Sequence, residues 1–296
     1  MRKVIPVLVS IIAMLTLAAC NNSSASSNSK VVASTKNGEV NKEEFYNKLV
    51  SEHGDKVLKD MVYEEVLSEK FSVSDKKVQT KLDKMKEQYG DKFQSVLKQN
   101  GFADEAQFKE VIRSSMLKQK AATQGVSVKD EEIKQYYENM KKEFKASHIL
   151  VKDKKTADEV LKKLENGEEF AKLAKEYSTD KKSANNGGKL GGYTSTGKMV
   201  LPFEKAAYNL KVGEVSDPVK TKHGYHVIKV TDKRDKEDTS SIGKFKDMKD
   251  QLRQELLNRQ ANPDNITEIM KNAGVEIKIE ELKDQISFEP KSSASK

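Results

Sequence analysis

Apolar residues recur at helical spacing in two stretches of the chain, and these flank a third stretch of different character. In the first, Val31-Val32-Ala33-Ser34, a turn at Lys36-Asn37-Gly38 and Glu39-Val40 predict a short hairpin. Asn41-Lys42-Glu43-Glu44 then reads as a helix N-cap with a glutamate three residues on. The helical period continues through Phe45, Leu49, Val57, Leu58, Met61, Val62, Val66 and Leu67. Ser74 predicts the cap of a second helix, with Val78, Leu82 and Met85 on one face and Tyr89-Gly90 at its end. Phe93, Val96 and Leu97 form a short helix stopped by Asn100-Gly101, a longer helix spans Asp104 to Gln124, and another runs from Lys129 to Phe144. The thin apolar stripes of these helices read as packing faces rather than as a cofactor box.

From Lys145 the period changes. Ala146-Ser147-His148-Ile149-Leu150-Val151 alternates like a strand, and Thr156-Ala157-Asp158-Glu159 reads as a capping box for a helix ending at Asn166-Gly167. A helix from Glu168 to Tyr177 follows, then five glycines between 187 and 197, a short helix after Pro202, and strands around Val215–Thr221 and Tyr225–Val230. Beyond a charged linker, Thr231 to Ser241, helical spacing returns with Ile242, Phe245, Met248, Leu252, Leu256 and Leu257. Asn262-Pro263-Asp264 starts a further helix, and Val275-Glu276-Ile277-Lys278-Ile279 alternates like an edge strand. A segment of this size cannot bury its own stripe, so it must pack on the N-terminal helices.

The expected fold is therefore α+β. A helical domain built from residues 30–143 and 233–280 carries an inserted unit, residues 144–232, of a small antiparallel sheet plus helices. Residues 281–296, with a Ser-rich end, read as a disordered tail.

Composition narrows the chemistry. The 296 residues carry 54 Lys+Arg against 46 Asp+Glu, a formal net charge of +8, with one Cys and four His. A single cysteine excludes disulfide scaffolds and Cys-based zinc sites, and His53, His148, His223 and His226 leave little room for a His-based metal site. No metal or cofactor is expected. Lys alternates with Glu and Asp along the helices instead of clustering, which predicts a solvated surface and no nucleic-acid partner, with at most a mild preference for polyanionic envelope material.

The N-terminus reads as an address. Arg2 and Lys3 precede an apolar run from Val4 to Ala19, which ends Leu17-Ala18-Ala19-Cys20 and passes into a Ser/Asn tract. This resembles the lipobox of bacterial lipoproteins, which implies removal of residues 1–19, a diacylated Cys20 and a flexible tether over 20–29. The mature chain is then expected on the outer face of the cell membrane.

The chain has no P-loop, no HExxH and no nucleophile-elbow order. Gly187-Gly188-Lys189-Leu190-Gly191-Gly192 follows a helix rather than a strand, so it reads as a tight loop allowing close backbone approach, not as a dinucleotide site. His226 shares a strand face with Ile228 and Val230, and His148 also has apolar strand neighbours, so both should point inward and meet, each accepting a hydrogen bond from the other.

Six segments carry a resemblance: Lys145–Leu150, Phe170–Asp180, Gly187–Gly191, Gly197–Glu204, Gly213–Ser216 and Gly224–Ile228. Their colinear order is similar to parvulin-type peptidyl-prolyl isomerases. Joined to the lipobox and the helical segments, it resembles the foldase lipoproteins of Gram-positive bacteria. SurA-type periplasmic chaperones share the arrangement without the anchor.

The resemblance implies that His148 and His226 are the paired central histidines and that Asp180 stands where the family carries Cys or Asp. Leu190, Met199 and Phe203 match the apolar pocket for the substrate proline, and Thr221 matches a polar position beside the histidines. His223 departs from the family's usual small or polar residue. The short, mixed Lys152-Asp153-Lys154-Lys155 loop implies no phosphate requirement. The implied partners are unfolded exported proteins and the membrane, with a homodimer left open. Two alternatives stand beside the isomerase reading: a holdase chaperone with an inactive parvulin unit, and a solute-binding lipoprotein, which would need two α/β lobes.

Overall fold

The computed structural model describes residues 30–288. The expected signal peptide, Cys20, the tether and residues 289–296 lie outside the described residues.

The described residues divide into two contact units, one ending at Lys56 and the other starting at Val57. In the first, β1 (Val31–Thr35) and β2 (Gly38–Asn41) form an antiparallel hairpin with Thr35 opposite Gly38. Helix α1 (Lys42–Lys70) starts where predicted, because the Asn41 side chain accepts the Glu44 N–H at 2.8 Å. The stripe read as a packing face is only partly one: Phe45 and Leu49 stand exposed, as do Val57 and Met61 further along the helix, and Tyr46 beside the stripe is exposed too.

The second unit continues through α2 (Asp75–Tyr89), α3 (Phe93–Gln99), α4 (Glu105–Ala122) and α5 (Asp130–Met140). The mixed part follows as β3 (Lys142–Val151), α6 (Lys154–Glu165), α7 (Phe170–Tyr177), α8 (Lys181–Ala184), β4 (Thr194–Ser195), α9 (Leu201–Asn209), β5 (Val219–Thr221) and β6 (Gly224–Asp235). The chain closes with α10 (Phe245–Arg259) and α11 (Asp264–Asn272).

The helices on either side of the mixed part pack on each other. Val128, Ile133 and Tyr136 bury against Leu252 and Leu256, and Leu67, Leu117 and Ala121 bury against Ile269. Polar contacts pin the same surfaces: Asn262 N–H donates to Ala122 O at 2.8 Å, and Lys249 pairs with Asp130 at 2.6 Å.

The antiparallel sheet has the order β4-β3-β6-β5 and is covered on both faces. Ile149, Val151 and Val227 pack under Val160, Phe170 and Leu173 of α6 and α7. On the other face, Phe144, Ala146, Ile228 and Val230 pack against Phe203 and Ala207 of α9. The alternation of side chains along β3 and β6 sorts their residues between these two cores.

Several expected boundaries move. The helix drawn from Lys129 to Phe144 ends at Met140, and Lys142-Glu143-Phe144 open β3 because they pair with Asp235, Arg234 and Lys233. The linker drawn from Thr231 is likewise strand as far as Asp235, with a register shift beside Lys145/Ala146. That shift turns Lys233 towards α9, where its ammonium donates to Tyr208 O at 2.7 Å. The cap of α6 is Asp153, whose carboxylate accepts the Thr156 N–H at 2.9 Å, so the helix starts before the predicted capping box. Ser74 precedes α2 without a side-chain cap bond.

The five residues from Val275 alternate as an edge strand would, but no described strand pairs with them. The expected tail starts too early: Glu280–Leu282 form a 3-10 turn, and Leu282 and Ile286 are buried. Among the described residues, no helix is long and apolar enough to cross a membrane.

The glycine loop meets its expected role. Gly188 O accepts the His148 N–H at 2.8 Å, and Leu190 N–H donates to Ala146 O at 3.1 Å, so the loop runs against β3. At Gly188, φ is +80°, and a Cβ there would lie 2.6 Å from His148 O and 3.2 Å from both Ala174 Cβ and Phe170 Cε1. Gly191, at φ +101°, has open space around the same point. Gly188→Ala should therefore destabilise the protein by about 2–4 kcal/mol and Gly191→Ala by about 1 kcal/mol in urea unfolding, since only the first adds a backbone clash to the left-handed strain.

Candidate active site

The sheet register brings the two histidines together. His148 lies opposite Ile228 and Leu150 opposite His226, so the histidines are diagonal neighbours on the α9 face of β3 and β6. Both are buried, at 6% and 5% exposure. Their Nδ1 atoms are 3.0 Å apart, and their rings are tilted by 30° with centroids at 5.1 Å. Phe203 stands edge-on below both, with its centroid 5.5 Å from that of His226 and 6.1 Å from that of His148.

The outer nitrogens are also occupied. His148 Nε2 lies 2.8 Å from Asp180 Oδ2 and 3.0 Å from Ser183 Oγ. Ser183 Oγ–H donates to the same Asp180 oxygen at 2.5 Å. His226 Nε2 lies 3.1 Å from Thr221 Oγ1, which also accepts the His223 N–H at 3.0 Å. His223 itself sits exposed in the turn between β5 and β6, and it acts on the site through this backbone bond and through its electrostatic effect on His226.

Charge settles the direction of the chain. Asp180 is held below the usual carboxylate range by the Ser183 hydroxyl and, beyond the opposing effect of burial, by His148. An ionised carboxylate only accepts, so His148 Nε2 carries hydrogen and, in the neutral ring, Nδ1 accepts. His226 Nδ1–H is then the donor between the rings, which leaves His226 Nε2 to accept from the Thr221 hydroxyl. Only one histidine donates to the other, in contrast to the reciprocal donation that the sequence predicts, because the single contact joins the two Nδ1 atoms and holds one hydrogen.

The His226 pKa is pushed down to about 4, first by burial and then by the neighbouring His148 and His223, with Asp180 opposing. Every ring nitrogen is thus engaged, and neither imidazole offers a free lone pair to a substrate. The site is equipped for positioning and electrostatics, not for nucleophilic attack.

Leu190 and Met199 are half-buried beside Phe203 in the cluster on the α9 face. All the residues singled out within the mixed part therefore fall in one neighbourhood. Cys20 lies outside the described residues.

Sequence reasoning missed Ser183, Ser178 and Ser216. Ser178 Oγ accepts the Leu150 N–H at 3.1 Å and Ser216 Oγ accepts the Ile228 N–H at 2.9 Å, each holding the backbone of a histidine-bearing strand. The available signal for Ser183 was its place three residues after Asp180, but α8 is four residues long and has no apolar stripe to announce it.

Comparison with known proteins supplies the family. Residues 116–234 match the PPIC-type PPIase domain. The foldase protein PrsA of Geobacillus kaustophilus is 44% identical over 285 residues, covering 95% of this chain and 96% of that protein. The foldase protein PrsA of Bacillus subtilis is 43% identical over 290 residues, covering 96% and 94% respectively. A crystal structure of the peptidylprolyl isomerase PrsA from Bacillus cereus is 37% identical and covers 87% of this chain and 97% of that one, with a TM-score of 0.41.

The depressed His226 pKa has a measurable consequence. An unfolded imidazole takes up its proton near pH 6.5, and the folded one does so only near pH 4. Between these values the unfolded chain binds more protons, so stability falls as pH drops through the window and levels off below it. The loss should approach about 3 kcal/mol, and His226→Gln should flatten that part of the profile in denaturation measured from pH 7 to 4.

Proposed function

Because the chain belongs to the PrsA foldase family and carries a PPIC-type peptidyl-prolyl isomerase domain, we propose that it is an extracytoplasmic, lipid-anchored foldase whose paired histidines serve cis/trans isomerisation of X–Pro bonds in exported proteins. The observation that carries this reading is the directed chain Thr221–His226–His148–Asp180 lying over Phe203.

The reaction makes and breaks no covalent bond. Rotation about X–Pro crosses a barrier of roughly 18–20 kcal/mol because the amide loses its resonance and its nitrogen lone pair becomes localised. Leu190, Met199 and Phe203 would hold the proline ring and exclude water, which favours the less polar twisted amide. His148, His226 and Asp180 would fix the field and the shape around it. A thousandfold acceleration needs only about 4 kcal/mol of differential stabilisation.

The helical domain, built from chain on both sides of the isomerase unit, would hold the client while its prolines turn over. The exposed apolar residues of α1 support a chaperone role, since such surfaces engage unfolded chains. The same residues favour the second reading, a holdase in which isomerisation is dispensable.

A protease-free assay of a short unphosphorylated X–Pro peptide separates the two. The parent should accelerate isomerisation, and His148→Ala and His226→Ala should lose at least about tenfold in kcat/KM while circular dichroism stays unchanged. Full activity in folded histidine variants would remove the histidines from the mechanism. An inactive parent that still suppresses client aggregation would leave the holdase. Anchoring is tested separately: Cys20→Ser should shift the protein from the membrane fraction to the medium.

A further inference from the structure

The proline pocket is held from outside the isomerase unit. Arg259, the last residue of α10, reaches into the mixed part with a guanidinium whose side chain is 16% exposed, and pairs at 2.8 Å with Glu204 of α9, 2% exposed. Its Nη2 donates to Met199 O at 2.6 Å, and its Nη1 also donates to Tyr136 Oη at 2.9 Å. Glu204 Oε1 in turn accepts the Met199 N–H at 2.9 Å. Both backbone polar groups of Met199 are therefore gripped by one buried ion pair, and one half of that pair belongs to a helix 60 residues downstream.

The placement concerns the site directly. Met199 would form one wall of the pocket, and Phe203, adjacent to Glu204, stands against both histidines. Helix α9 itself belongs to two cores: Leu201 packs with Val128, Ile133, Tyr136, Leu252 and Leu256, while Phe203 and Ala207 pack on the sheet. A counter-charge alone would satisfy Glu204. The second fork of the guanidinium, spent on the Met199 carbonyl, adds geometry that a point charge would not.

We infer that Arg259 is a positioning residue of the isomerase, fixing Met199 and the first turn of α9 from the helical domain so that the proline pocket is shaped before substrate arrives. This rests on the reading of Met199 and Phe203 as pocket residues. It makes α10 part of the functional unit: what loosens α10 enlarges the pocket, and what fills the pocket steadies α10.

The test uses the full chain and the same X–Pro peptide, with Arg259→Gln, Arg259→Lys and the paired change Arg259→Met with Glu204→Gln. The expected result for Arg259→Gln is a KM raised about tenfold with kcat changed less than about threefold, since the Met199 wall grips the proline ring alike in ground and transition states, while the water exclusion that favours the twisted amide is kept by Leu190 and Phe203. Arg259→Lys should recover the melting temperature, because it restores a charge beside Glu204, but not the KM. The paired variant removes both charges and carries the same KM expectation where the single change does not fold.

A folded Arg259→Gln or paired variant with parental KM overturns the inference. So does a lysine variant that recovers both quantities, because the arginine would then be only a counter-ion. His226→Ala is run alongside: an inactive parent, or an active His226→Ala, overturns the pocket reading and this inference with it. Loss confined to the Arg259 variants' KM, with His226→Ala inactive, supports both.

Discussion

The antiparallel pairing of β3 with β6 is the constraint from which the rest of the molecule follows. Ten residues of β3, from Lys142 to Val151, are in register with β6, and that register decides which side chains meet α9 and which meet α6 and α7. A slip of β6 against β3 by one residue would turn one strand over, sending Val227 towards α9 and His226 into the apolar layer under Phe170 and Leu173, on the opposite face from His148. Burial of both faces therefore protects the site geometry. The histidines are placed by the same hydrophobic segregation that builds the two cores.

Burying two imidazoles side by side carries a requirement that the surroundings meet in full. Each ring nitrogen needs a partner, and an unpaired one would cost about 1–3 kcal/mol. Asp180 with Ser183 closes one end of the chain, and Thr221 closes the other. The ionised carboxylate sets the tautomer of His148, and His148 sets that of His226. Because the order propagates from one charged end, changing Asp180 disturbs more than its own contact: it removes what makes the proton positions unique.

Much of this was legible in the sequence, and the failures share a cause. Asn41 and Asp104 announced their helices because capping is local: each side chain accepts a backbone N–H three residues on. The inward faces of His148 and His226 followed from strand alternation, and Gly188 followed from the crowding that only glycine tolerates. What local pattern did not reveal was pairing at long range. Lys142-Glu143-Phe144 look helical until they are set beside Lys233, Arg234 and Asp235, and Thr231–Asp235 look like a charged linker until the same partner is supplied. The residues from Val275 to Ile279 show the converse, since alternation without a pairing strand does not make one. Ser183 and Arg259 stayed hidden because their importance lies in partners 35 and 55–60 positions away.

An isomerase of this kind transfers no atoms, so its site is defined by shape and field rather than by a reactive group. A shape of a few side chains is only as good as the walls that hold it, and here the walls come from two layers of the fold. In the proposed pocket the sheet would supply the histidines, α9 would supply Phe203, and the loop before α9 would supply Met199. Helix α9 is packed on the sheet by Phe203 and Ala207 and on the helical core by Leu201, so it cannot shift towards one without leaving the other. The buried pair of Glu204 with Arg259 lies at that junction, where breaking it would strand a desolvated carboxylate at a cost of about 3–5 kcal/mol. Two regions that look separable in the sequence are thus joined beside the proposed pocket, whose rigidity would be a property of the joint.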